Sequence, residues 1–395
     1  MRVPQTVPPM KHFAFIAPPG DGRIDGPPGY LALVRPALAP LARLIGRLWP
    51  PHLLSHIEGV HSRMTGREIE GWGVRCPLSA RQMLRLPPQV VYDRIVWAGR
   101  LAQRQGAGLL GLGPFASGVG DGGVTIAQRL NMPVSTGNSL AVASAVAALE
   151  HAVELAGRGV TVAKGQAGGR PTRGTATAAV VGASGSIGLG CAEMLAPLVQ
   201  ELMLVGRREI DLSRARALVE AAGAVGKVRI STRIDDIQEA DLVLSAGRAT
   251  QPRILPDHLK RNAIVCDVVP PGDVSPTVRR ERPDVFLTAG GVVTVPGQVD
   301  IGLGSGIPAG QAYAYMAEVM VLALEGRYES YSLGQRVHRE RVREIAQLAL
   351  KHGFRLAPQH YNRTCPKGRL PKSWSLRPAR YRGLTERLLA CRALS

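Results

Sequence analysis

An α/β fold built round a doubly wound parallel sheet is predicted by three features of the sequence. From Thr177 onward, short apolar runs alternate with helical patterns, the arrangement that covers both faces of a parallel sheet. Glycine and alanine are abundant, as expected where helices pack closely on a parallel sheet formed by those runs. The first of them, TATAAVV, leads directly into Gly182-Ala183-Ser184-Gly185-Ser186-Ile187-Gly188 and then into a helical segment over 188–198.

In chain order, residues 12–16 (HFAFI) read as a short opening strand, followed by a Pro/Gly-rich stretch over 18–29. The apolar segment 30–54 places Arg43 and Arg47 on one helical face among Leu41, Leu44, Ile45 and Leu48. Two readings fit it: a core-facing helix with solvated arginines, or a helix lying on a membrane surface. Runs at 108–112 and 132–135 read as short buried strands. The second passes through Thr136-Gly137-Asn138-Ser139 into an Ala-rich helix over 140–155, which Asn138 or Ser139 would cap. Residues 157–175 are polar and Gly-rich, a linker that closes an N-terminal α/β substrate domain over 1–160.

The sheet strands then fall at 177–181, 202–205, 228–231, 242–245, 264–267 and 285–287, within a domain over 176–305. Helices over 308–325 and 335–352 follow, expected to close the cleft from a segment spanning 306–354. Pro308 near the start of the first and Gly326 just past its end are the expected asymmetry.

The 395 residues suffice for two or three domains, and 45% hydrophobic with 20% charged residues is a globular composition that excludes wholesale disorder. The formal net charge of +19 is carried almost entirely by Arg. About half of the excess sits in a basic tail over 355–395, where ten Lys/Arg face a single acid, Glu386. An excess so placed argues for contact with anionic lipid or an acidic carrier protein rather than a nucleic-acid face. The cysteines, Cys76, Cys191, Cys266, Cys365 and Cys391, show no metal-ligand spacing, so no metal is expected and reduced thiols in a cytoplasmic protein are. No leading apolar segment and no run of about 18 uncharged apolar residues is seen.

Strand, glycines, helix and a second strand in this order define a Rossmann-type dinucleotide site, with Gly182, Ser184, Gly185, Ser186, Ile187 and Gly188 round the pyrophosphate. The helix N-terminus adds partial positive charge there. The second strand ends in Gly206-Arg207-Arg208, and a basic residue at that place pairs with the 2′-phosphate of NADP where an acid would select NAD. The cofactor expected is therefore NADP(H), and the activity that of an oxidoreductase. Ser245 and Asp267, at the carboxyl ends of later strands, fall where the ribose and nicotinamide are expected.

HSRMTGREIEGW (61–72), GDGGVT (120–125), STGNS (135–139), VVGASGSIG (180–188), LVGRR (204–208), TAGGVV (288–293) and YMAEVMVLALEGRYESYSLG (315–334) carry a resemblance that runs over roughly residues 12–354. In these the chain resembles the long-chain acyl-[acyl-carrier-protein] reductases, the aldehyde-forming fatty acyl-ACP/acyl-CoA reductases of fatty acid metabolism, and their bacterial relatives. The resemblance implies hydride transfer from NADPH to an acyl thioester, with an active-site cysteine carrying the acyl group. The cysteine's position, just before the Ala-Glu pair of the first closing helix, is Tyr315 in this chain. The family's N-terminal His is likewise replaced within Ala17-Pro18-Pro19.

Catalytic candidates are read from the residues themselves. Tyr315 and Glu318 stand three apart on a largely apolar helix and share a face; they are either an acid/base pair or a packed phenol beside a structural carboxylate. Cys266, at a strand end beside Asp267, is either an alternative nucleophile or an inert core thiol. Thr136, Asn138 and Ser139 are donors to a substrate or caps of the following helix. The leading expectation is an NADPH-dependent acyl-thioester reductase. The alternatives are an NADP-dependent dehydrogenase of a small hydroxy or amino acid, and a catalytically inactive NADP-binding sensor.

Overall fold

The parallel sheet expected after Thr177 forms with six strands, and it accompanies a five-stranded and a three-stranded sheet. The computed structural model describes residues 12–17, 50–156, 176–247, 252–268, 272–302 and 307–357. The chain divides into two compact units. One comprises the described residues within Met1–Gly137, Pro296–Gly310 and Val319–Leu333; the other comprises those within Asn138–Val295, Gln311–Glu318 and Gly334–Ser395.

In the first unit, β1 (His12–Ala17), β2 (His52–His61), β3 (Glu68–Arg75), β4 (Ala107–Gly111) and β5 (Val134–Ser135) form a sheet in the order β2-β3-β1-β4-β5. Only β2 is antiparallel to its neighbour. Helix α1 (Ala80–Arg85) starts at a capping box: Ser79 accepts the Gln82 N–H, and the Gln82 side chain accepts the Ser79 N–H. Helix α2 (Pro88–Arg104) starts on Pro88, whose missing N–H is of no consequence in a first turn. It buries Val91, Ile95, Val96 and Ala102 against Ile16, Val74 and Leu110. Burial of each such branched side chain is worth about 1.5–3 kcal/mol. The GDGGVT segment is the turn before α3 (Val124–Arg129). Tyr92 Oη accepts the Asp121 N–H at 3.0 Å, and a Cβ on Gly120 would fall 1.8 Å from that oxygen. The HSRMTGREIEGW segment is the β2–β3 hairpin, in which Ser62 Oγ accepts the N–H groups of Met64 and Thr65. Both motifs therefore serve local structure.

In the second unit, β6 (Thr177–Val181), β7 (Glu201–Val205), β8 (Lys227–Ser231), β9 (Leu242–Ser245), β10 (Ile264–Asp267) and β11 (Phe286–Ala289) are all parallel. Their order, β11-β10-β9-β6-β7-β8, is that of a Rossmann sheet, with the reversal of direction between β6 and β9. Helix α4 (Asn138–Ala156) is buried nearly all round through residues 138–149. Its small side chains let it lie close to the sheet: a Cβ on Gly290 would fall 2.9 Å from Ala145 Cα, and one on Gly190 2.9 Å from Val142. Around the sheet lie α5 (Ser186–Leu195), α6 (Glu209–Ala221) and α7 (Pro276–Glu281). Short antiparallel strands β12 (Val292–Thr294), β13 (Gln311–Tyr313) and β14 (Arg355–Leu356) form the third sheet. Helices α8 (Ala314–Glu325) and α9 (Arg339–His352) complete the described elements.

The structure corrects several expected boundaries. The units part at Gly137 and Asn138, not after residue 160, because the Ala-rich helix packs on β10, β11, α5 and α9 of the Rossmann unit. The helix expected from Pro308 begins at Ala314, since residues 311–313 pair with β12. Residues 355 and 356, expected in the tail, form β14. Residues 52–54, expected at the end of a helix, lie in β2. Residues 18–49, the linker 157–175 and the tail from 358 onward, with the expectations placed on them, lie outside the described residues. No helix among the described residues is long and apolar enough to cross a membrane.

Candidate functional site

The glycine loop adopts a geometry that each of its glycines makes possible. Gly182 turns the chain out of β6 at φ +80°, and the N–H groups of Gly182 and Ala183 both bond to Val205 O. A Cβ on Gly188 would fall 2.2 Å from Gly182 O, so the first turn of α5 can lie against the loop only with glycine there. Gly185, the N-cap, differs: its Cβ would meet only Gly182 O, at 3.3 Å, so its bare face is open space. The N–H groups of Ser186, Ile187 and Gly188 open α5 and have no intrahelical acceptor. The loop thus presents converging backbone donors and a positive helix end beside a face kept clear of side chains. A loop of this geometry has the donors and the open space that a diphosphate group would need.

At the end of β7, Arg207 and Arg208 are both exposed. Asp211 holds Arg208 at 2.6 Å, while Arg207 has no ion pair among the described residues. Ser184 lies on the same side, with its Oγ 3.6 Å from where a Cβ on Gly206 would stand.

The amino end of α4 adjoins this loop within the same unit. Asn138 Nδ2 donates to Ser186 Oγ at 3.0 Å, which ties the first residue of α4 to the first residue of α5. Ser139 is fully buried. The N–H of Leu140 donates to the Glu318 carboxylate at 2.8 Å. Glu318 thus places a carboxylate oxygen at the positive end of a helix, where an acceptor complements the dipole. One turn earlier on α8, the ring of Tyr315 stacks on Tyr313 at 5.6 Å between centroids. Its hydroxyl is buried and has no hydrogen-bond partner among the described residues. Burial, with a smaller contribution from Tyr313, holds this phenol well above its ordinary pKa, so it is a neutral donor.

The remaining candidates serve the interior of the unit. Cys266 is fully buried, with Sγ 3.6 Å from Ala145 O, and a Cβ on Gly290 would fall 2.5 Å from the sulfur. Burial first, then Cys191 and Asp267, push its thiol well above the usual value, so it is a core thiol and not a nucleophile. Asp267 is turned into the loop that follows β10, accepting the N–H groups of Asp273 at 3.4 Å and Val274 at 3.2 Å. Ser245 donates to Asp273 Oδ2 at 2.7 Å. Thr136 belongs to the first unit, where its hydroxyl donates to Ser332 O.

The structure thus brings Gly182, Ser184, Gly185, Ser186, Ile187, Gly188, Arg207 and Asn138 to one loop region. Glu318 is placed as a helix cap and Cys266 in the core. Asp273 is a residue the sequence did not single out; its signal is an acid beside a glycine, Gly272-Asp273, in the segment that follows β10, with Gly247 just past the end of β9. No group of three or more His, Cys, Asp or Glu among the described residues could hold a metal ion.

Fold and loop together define a Rossmann-type α/β protein with a dinucleotide cradle. No known protein family model matches the chain. It is similar to Aminotransferase PigE of Serratia sp., with 30% identity over 300 residues, covering 74% of this chain and 33% of that protein. It is also similar to the Long-chain acyl-[acyl-carrier-protein] reductase of Synechococcus elongatus, with 28% identity over 187 residues, covering 45% of this chain and 52% of that one. The chain thus spans about a third and about half the length of these curated relatives. Among solved structures, an L-alanine dehydrogenase matches at 15% identity, covering 69% of this chain and 84% of that one, with a TM-score of 0.27. The yhdH oxidoreductase of Salmonella enterica in complex with NADP matches at 14% identity, covering 48% and 59%, with a TM-score of 0.25.

Proposed function

We propose that this chain is an NADP-dependent oxidoreductase that acts on a carbonyl-level carbon without a covalent enzyme intermediate, acyl thioesters of a carrier protein or coenzyme A being the first candidate substrates. The observation that carries the reading is the contrast between Gly188, which packing requires, and Gly185, which leaves open space at the mouth of the loop. A cradle of this kind fits the diphosphate of a dinucleotide, and Arg207 is the cation free to meet a 2′-phosphate. Bound NADPH supplies the hydride.

The residues of the chain then have separate tasks. The loop glycines and the first N–H groups of α5 bind the diphosphate. Asn138 holds Ser186 and so orients the start of that helix. Tyr315 Oη, neutral and without a partner among the described residues, donates to the carbonyl oxygen as negative charge develops on it. Glu318 positions the turn of α8 on which Tyr315 stands. The described cysteines, Cys76, Cys191 and Cys266, are all buried, and burial raises each thiol, Cys76 to about 12. None is a thiolate at neutral pH, which supports direct attack rather than acyl transfer to sulfur.

The same absence of a thiolate among the described residues favours a second reading, a dehydrogenase of a small hydroxy or amino acid, because that reaction needs only a hydride and a proton donor. The test is NADPH oxidation by the purified protein, offered acyl-ACP and acyl-CoA thioesters in one panel and small 2-keto acids, with and without ammonia, in another. Aldehyde formation that survives Cys266→Ser and falls with Tyr315→Phe is the expected result. Turnover confined to the keto acids would replace the first reading by the second. Tight NADPH binding with no turnover on either panel would leave a sensor.

A further inference from the structure

We infer that Asp273 is a ligand-binding carboxylate, held at the carboxyl end of β9 by Ser245 and Gly247 to accept a hydrogen bond from a ribose hydroxyl on the nicotinamide half of the dinucleotide. The assignment rests on the dinucleotide reading above and adds a residue to it. Asp273 is 1% exposed and Ser245 donates to its Oδ2, yet Oδ1 is buried with no partner among the described residues. A buried acceptor left without a donor is unfavourable, the more so when charged, so such an atom calls for a donor.

The surroundings are built for this carboxylate. A Cβ on Gly247 would fall 2.0 Å from Asp273 Oδ2, so glycine is required beside it. A Cβ on Gly272, at φ +80°, would fall 2.6 Å from Asp267 Oδ2, so a second glycine makes room for the neighbouring acid. Asp267 fixes the loop by accepting the N–H groups of Asp273 and Val274. Two acids are thus brought together at adjacent strand ends, and neither has an ion pair to a described Lys or Arg.

Position selects the half of the ligand. A Cβ on Gly182 would stand 2.9 Å from Gly247 N, so the Asp273 carboxylate and the first glycine of the loop both lie against Gly247. Arg207 and Arg208 follow β7 on one side of β6, whereas β9 and β10 lie on the other. A dinucleotide crossing the switch point between β6 and β9 with its adenosine phosphate at the arginines carries its second ribose to the β9–β10 side.

Binding of two ligands separates the possibilities: NADPH, followed by its fluorescence, and 2′,5′-ADP, which keeps the adenosine half and lacks the nicotinamide ribose. Asp273→Ala is expected to weaken NADPH at least roughly tenfold and Asp273→Asn by less, with 2′,5′-ADP held within about twofold. Ser245→Ala, which frees the carboxylate to rotate, shifts NADPH a few-fold in the same pattern and decides the matter should Asp273→Ala fail to fold. Parallel weakening of both ligands would make Asp273 a brace of the loop and overturn the inference, as would unchanged NADPH affinity. Wild-type protein that binds 2′,5′-ADP and NADPH while the variants do not differ defeats this assignment alone. Wild-type protein that binds neither defeats the dinucleotide reading and this assignment with it.

Discussion

The carboxylate of Glu318 receives the Leu140 N–H at 2.8 Å, across 178 residues of sequence, at the first turn of α4. Leu140 is the third residue of α4, so its N–H is one of the first-turn donors that have no acceptor within the helix. The acceptor comes instead from α8, and the bond ties the turn bearing Tyr315 to the helix whose first residue holds Ser186.

Glu318→Ala is therefore expected to cost about 1.5–3 kcal/mol, the range for a charged hydrogen bond whose buried partner is left unmade. Glu318→Gln keeps an acceptor and loses only the charge–dipole attraction, which costs about 1–2 kcal/mol in a buried setting. Urea unfolding of the three proteins checks this. A Glu318→Gln variant as stable as wild type but inactive would instead make the carboxylate a proton-transfer group.

The glycine loop separates packing from binding. Gly188→Ala drives a methyl to within 2.2 Å of Gly182 O, and overpacking of that kind costs about 1–3 kcal/mol. Gly185→Ala meets only one atom, at 3.3 Å, and should leave the thermal midpoint close to that of wild type. Its methyl fills the face that the diphosphate approaches, so NADPH affinity falls sharply while the fold stands. Equal loss of stability in both variants would contradict the assignment of the open face.

The division between what could and could not be read from the chain follows the same line. Strands β6, β7, β9 and β10 are buried on both faces, so each is a continuous apolar run that announces itself. The loop that follows β6 is legible because its glycines answer to local geometry. The β2–β3 hairpin is not: β2 alternates irregularly between buried and exposed residues, and its register shifts twice. The roles of Glu318 and Asp273 were hidden for a different reason. Each depends on a partner far away in sequence, Leu140 for one and Ser245 for the other, and no periodicity encodes such a pairing. For Cys266 the structure selects the core thiol of its two readings, beside the Ala145 backbone, and Asp267 is drawn away from the crevice because a strand end points there only on average, while the 272–274 turn claims its side chain.

Arg207 and Arg208 should contribute unequally to cofactor choice. Asp211 already neutralises Arg208, whereas Arg207 is free among the described residues. Arg207→Ala is expected to weaken NADPH roughly tenfold and leave NADH nearly unchanged, as the loss of a charged contact to phosphate would. The difference should shrink as salt rises from ~0.05 to ~0.5 M, because both partners are near solvent. Titrations of both cofactors at two salt concentrations measure it; a parallel loss for NADH would place Arg207 on the shared part of the ligand.

Asp267 gives the unit a pH-dependent stability of definite sign. Burial, and to a lesser degree the charge of Asp273, raise its carboxyl from 3.8 to about 6, while backbone N–H groups oppose the shift only in part. The folded state thus disfavours the ionised form. Stability associated with this residue is fully present below about pH 4 and is lost as the pH climbs through about 6. Glu193, also raised by burial, contributes in the same direction, and Asp284, held low by Arg282, contributes in the opposite direction at more acid pH. Asp267→Asn removes the titration and leaves those two in place. Between pH 4 and pH 7 the wild type should therefore lose about 2 kcal/mol relative to the variant, most of it between pH 4 and 6. Urea unfolding at half-unit steps of pH resolves that difference. Parallel curves for the two proteins would mean that Asp267 ionises freely in the folded state and that the Asp267–Asp273 neighbourhood is wetter than its burial implies.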